Sequence, residues 1–164
     1  MSAPPAPALH APVLHAYDWA LVRVVPRVET GDGEAVGVTL HARRAGVFAL
    51  RLVAGPEALA AALAARWPGL DAAVLACALR GLVAVAEGGA AGGPLGLLPP
   101  SERFHWLAAT RSTVLQSGPV RTGMAADPAA EADRIAAGLG AGRTGGRGAS
   151  AFSVPGDPRP PPGV

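Results

Sequence analysis

The densest chemistry in the chain lies between Gly93 and Gly123, where Glu102-Arg103-Phe104-His105-Trp106-Leu107 is followed by Arg111-Ser112-Thr113 and then by Arg121-Thr122. Guanidinium groups present paired donors that match phosphate or carboxylate oxygens, and hydroxyls can complete a ring of donors around such an anion. Arg103, His105, Arg111, Ser112, Thr113, Arg121 and Thr122 are therefore the candidate ligands of a small anion site. A plainer role competes with this one: Arg103 and Arg111 pairing with Glu102 and other acids to fasten a loop-rich segment onto the fold. A third assignment makes His105 a general acid or base with Glu102 nearby, as in a small hydrolase or phosphotransfer enzyme. No glycine-rich phosphate loop with a lysine, no Gly-x-Ser-x-Gly elbow and no metal-ligand spacing is present, so no cofactor, no metal and no catalytic residue is assigned. Binding is the expected activity rather than catalysis.

The elements that must position these residues follow from periodicity. Alternation predicts a strand over 103–108, with Phe104 and Trp106 inward and Arg103 and His105 side by side outward, near Arg111 if the chain reverses at Ala109-Thr110. A strand would also put Glu102 and His105 on opposite faces, which counts against the enzyme. Upstream, Tyr17–Val25, Val36–His41 and Val47–Val53 read as three strands with short connections, hence an antiparallel meander. Arg23 stands in the row Tyr17, Trp19, Leu21, Arg23, Val25, expected to face inward, so it needs a partner, with Glu29 or Glu102 the candidates for a structural ion pair. Pro56-Glu57 opens a helix that Pro68 stops, Asp71 caps a second carrying Leu75, Leu79, Leu82 and Val83, and Asp127-Pro128 opens a last one carrying Ile135 and Leu139. The expected fold is α+β: an antiparallel sheet of about three to five strands packed against two to three helices, one domain over 14–140, with disordered segments over 1–13 and 141–164.

Composition bounds the rest. All fourteen basic residues are arginine and half the chain is apolar, with alanine the most frequent of these residues and a mean hydropathy of +0.31. That pattern reflects high-GC coding bias, so arginine enrichment alone is no sign of phosphate recognition. Eleven Arg face eleven Asp or Glu between Tyr17 and Gly140, and the net +2 comes from the tail, where Arg143, Arg147 and Arg159 face only Asp157. The Gly-Arg tail resembles RNA-binding arginine-glycine tails, but coding bias yields the same letters and only Tyr17, Trp19, Trp67 and Trp106 are Trp or Tyr, so nucleic-acid binding is not the expected use. The apolar run 72–86 is interrupted by Arg80 and is shorter than the ~20 residues a membrane span needs, so a cytoplasmic protein is expected. Cys77, the single cysteine, excludes an internal disulfide and reads as a small buried hydrophobe. His10, His15 and His41 are scattered and receive no role. Oligomeric state is not legible.

The chain resembles a bacterial family known as domain of unknown function 3037. The resemblance rests on Tyr17-Asp18-Trp19-Ala20-Leu21-Val22-Arg23-Val24-Val25-Pro26, on Val36-Gly37-Val38, and on Glu102 to Leu107 followed by Arg111-Ser112-Thr113 and Gln116. It covers about Tyr17 to Leu139. Two places depart from the family pattern: Asp32-Gly33-Glu34-Ala35 before Val36, and Arg121 where the family carries a histidine. Arginine cannot serve as a proton-transfer base at neutral pH but can hold an anion, so this departure leans toward binding. The resemblance brings no activity. It implies an accessory role, with a HipA-like kinase as possible protein partner.

Overall fold

The structure is a computed structural model that describes residues 12–109 and 113–144. The segments expected to be disordered lie outside the described residues, except for 12–13 and for 141–144, which continue the last helix. Strand β1 (His15–Arg27) pairs antiparallel with β2 (Asp32–Ala42), and β2 pairs antiparallel with β3 (Val47–Leu52). The connection from β2 to β3 is a single tight turn, Arg43–Ala45, closed by Gly46 at φ 66°, a left-handed value that favours glycine. The expected meander is therefore present.

Two helices follow, α1 (Pro56–Arg66) and α2 (Ala72–Glu87). The Asp71 carboxylate accepts the backbone N–H groups of Ala73 and Val74 at 2.8 and 3.0 Å, satisfying donors that have no partner inside the helix. A single turn α3 (Gly93–Gly96) leads to α4 (Pro100–Ala108). Next come β4 (Leu115–Ser117) and β5 (Arg121–Ala125), and then α5 (Pro128–Thr144), capped by Asp127 as expected. β4 and β5 lie end to end along one edge of β1, pairing with Val22–Val24 and with His15–Trp19, so they act as one edge strand interrupted at 118–120. The described residues thus form a five-stranded antiparallel sheet in an α+β fold.

The segment expected as a strand over 103–108 is a helix. Pro100 occupies the first helical turn, where a missing N–H costs nothing, and Glu102 lies in the same turn. Phe104 and Leu107, three apart, share the buried face, while His105 is exposed and Trp106 is half-buried. Over six residues the alternation of aromatic and polar side chains fitted a period of two as well as it fitted one helical turn. Cys77 is a second correction. Leu75, Leu79 and Leu82 turn one face of α2 to the sheet, and Cys77 is exposed on another.

Helices cover both faces of the sheet. On one face Val22, Val24 and Val36 pack with Leu59, Leu63, Leu79 and Leu107 from α1, α2 and α4. On the other, Tyr17, Trp19, Val38 and Leu40 pack with Ala132, Ile135 and Ala136 of α5. Burial on both faces removes the premise that one alternating row of β1 is inward. Arg23 is only half-buried, and neither Glu29 nor Glu102, both exposed, is ion-paired with it among the described residues.

Val36 and Val38 are two apart in a strand yet join opposite cores. A bulge explains this: Val22 pairs with Gly37 and Arg23 with Ala35, leaving Val36 as the extra residue. Gly37 sits at the bulge because a Cβ there would lie 2.5 Å from the Arg51 carbonyl oxygen and 3.2 Å from Leu52 Cα. Gly37→Ala should therefore cost about 1–3 kcal/mol, as overpacking against backbone does. In urea unfolding the midpoint should fall at unchanged slope, and a midpoint equal to wild type would refute the crowding.

Candidate functional site

Register brings three polar side chains into one row. His41 on β2 is directly opposite Asp18 on β1, and Asp18 is directly opposite Thr122 on β5. Directly paired residues share a sheet face, so the three project together on the face that carries α4 rather than α5. Helix α4 lays Phe104, nearly fully buried, against the His41 imidazole at a centroid distance of 5.7 Å, and the His105 ring is 5.8 Å from that of Phe104. The turn after β2 adds Arg43 and Arg44, both exposed. These groups line a cleft of about 260 Å³.

The predicted anion ligands are distributed differently from the sequence expectation. His105 and Thr122 meet in this cleft. Arg103 does not face His105: it points the other way and binds backbone carbonyls, its Nε donating to Leu98 at 3.0 Å and one terminal nitrogen to Val85 and Ala86 at 3.2 and 2.6 Å. It also lies over the Phe48 ring at 5.1 Å. The two carbonyls belong to the last turn of α2, where a cation is favoured by the helix dipole and by acceptors without helical partners. Arg103 thus fastens α4 to α2 through carbonyls rather than through acids. Arg121 is turned to the α5 face, 5.8 Å from the Trp19 ring, as its pairing with Trp19 requires. Thr113 donates to the Leu115 carbonyl and lines a separate apolar groove beside Leu70 and Trp106. Arg111 and Ser112 lie outside the described residues. Glu102 is exposed and does not line the cleft.

His41, Asp18, Arg43 and Arg44 had no place in the sequence reading of the site. Their signal is the β1–β2 register: an antiparallel pairing of Asp18 with His41 puts a carboxylate beside the imidazole and sets the arginines of the following turn at the same end. Neither Arg43 nor Arg44 has an ion-pair partner among the described residues. Burial, then the Arg43 charge, lowers the His41 pKa below its ordinary 6.5; Asp18 opposes this and His105 adds to it. His41 is therefore held neutral beside a cationic rim. Among the described residues no three of His, Cys, Asp and Glu cluster so as to hold a metal ion, and no helix is long and apolar enough to cross a membrane.

Two measurements check this arrangement. Arg103→Ala should destabilise the fold by about 1–3 kcal/mol, the range for charge-assisted bonds to buried carbonyls, and Arg103→Lys should recover only part because one ammonium cannot span those acceptors. Equal stability of all three proteins in thermal melts would remove the clamp. The His41 ring protons should titrate by NMR below 6.5, and Arg43→Ala should move that midpoint up. Because the folded pKa is the lower one, the His41 contribution to stability is complete above 6.5 and is lost as the pH falls below it.

No curated protein and no solved structure matches the chain. The family model described as Protein of unknown function (DUF3037) matches residues 19–139. That span runs from β1 to α5 and includes every cleft residue named above except Asp18, and the chain belongs to that family.

Proposed function

We propose that the protein binds a small phosphate-type anion in the cleft between the His41–Asp18–Thr122 row and α4. The observation that carries this is the convergence of two guanidinium groups without ion-pair partners among the described residues, two imidazoles and one hydroxyl on a single cleft of about 260 Å³. Arginine forks supply paired donors for phosphate oxygens, and the Thr122 hydroxyl adds a neutral polar group to the lining. The proposal casts the chain as a cytoplasmic bacterial accessory protein. A HipA-like kinase, implied by the family resemblance, is its proposed partner.

A second function has one observation in its favour. His41 and His105 line the same cleft, each beside Phe104, and His41 is held neutral, as a general base must be. A hydrolase or phosphotransfer enzyme built here would pair His105 with His41, since Glu102 lies elsewhere.

Isothermal titration with inorganic phosphate should show binding that Arg43→Ala/Arg44→Ala weakens roughly tenfold, or ~1.4 kcal/mol. Affinity should also fall with added salt, because both guanidinium groups are exposed and screened. Equal affinity of the double variant would refute the proposed site. Steady release of nitrophenol from p-nitrophenyl phosphate, lost in His105→Ala, would favour the enzyme. A native pull-down that retains a kinase-like protein on the wild type but not on the double variant would support the accessory role.

A further inference from the structure

A carboxylate stands inside the cationic cleft. Asp18 lies between His41 and Thr122 in the cross-strand row, is exposed, and has no hydrogen bond or ion pair among the described residues. A site meant for a bare anion gains nothing from it, since Asp18 repels the charge that Arg43 and Arg44 attract. The same carboxylate is well placed for a ligand that carries its own cation.

We infer that the ligand of the cleft is a small phosphate monoester bearing an ammonium group, its phosphate held at the Arg43/Arg44 end and its ammonium at Asp18. This rests on the proposal that the cleft holds a phosphate. The spacing fits: Arg43 follows His41 by two residues, so the arginine end and Asp18 are separated by roughly 7 Å at the backbone. The phosphate and ammonium of a compound with a two- or three-carbon linker span that distance once the long arginine side chains lean in. The volume fits as well, since about 260 Å³ suits a compound of this size better than a nucleotide. Thr122, on the other side of Asp18, offers a hydroxyl that can accept from the ammonium, and the rest of the row offers no second anion.

The test compares three probes on the full chain by isothermal titration at one pH and salt concentration: inorganic phosphate, glycerol 3-phosphate and O-phosphorylethanolamine. The amine should bind tightest, about two- to fivefold above the glycerol ester, the range of one exposed ion pair. Asp18→Asn should bring the amine down to the level of the glycerol ester, while inorganic phosphate binds the variant as well as or better than the wild type. The phosphate titration also registers any change that the substitution causes in His41, and an unchanged melting temperature shows that the exposed position leaves the fold intact. An amine that binds no tighter than the glycerol ester, or a preference that survives Asp18→Asn, overturns the inference while leaving the phosphate site standing. Failure of all three probes on the wild type overturns both.

Discussion

Strand β1 is asked to bond along both edges and to bury side chains on both faces. Its thirteen residues pair with β2 on one side and with β4 and β5 on the other. Val22 and Val24 serve the core under α1, α2 and α4, while Tyr17 and Trp19 serve the core under α5. Such a strand cannot show the simple alternation of a half-exposed one, and its partners must adjust to it. The bulge at Val36 is that adjustment: it lets β2 fill both cores from neighbouring valines, and it demands glycine at 37.

The polar row is a by-product of the same strand. At its N-terminal end β1 leaves Asp18 exposed on the α4 side, and pairing on both edges brings in His41 from one neighbour and Thr122 from the other. Three residues distant in the chain become adjacent because a single strand is shared. Helix α4 then sets the depth of the cleft: Phe104 anchors it beside His41, and the Arg103 clamp ties it to the end of α2. Cleft geometry therefore depends on the contact between α4 and the end of α2, made by the residue next to Phe104.

Most of the fold was legible because it is written in local signals. Asp71 and Asp127 cap helices with side chains that reach only two or three residues along, and Gly46 closes the turn between strands. The site was less legible because it is made by register. His105 and Thr122 drew notice by type, and they do meet; His41 looked isolated in an apolar strand, since nothing local says which residue stands across from it. Arg103 changes its surroundings with its element: with 103–108 helical, its side chain reaches the α2 carbonyls. The Tyr17 hydroxyl, which donates to Glu131 on α5 at 3.0 Å, is another long-range contact that no short window contains.

The interruption between β4 and β5 has a consequence for how one molecule meets another. An unbroken outer strand would offer a continuous ladder of free N–H and C=O groups to any passing extended chain, the route by which sheets aggregate. Gly118 and Pro119 break that ladder, and Pro119 has no N–H to give. At the other margin β3 is only six residues long and carries Arg51, ion-paired to Asp133 of α5. Both rims of the sheet are thus blunted, a guard against edge-to-edge stacking in a chain half of whose residues are apolar.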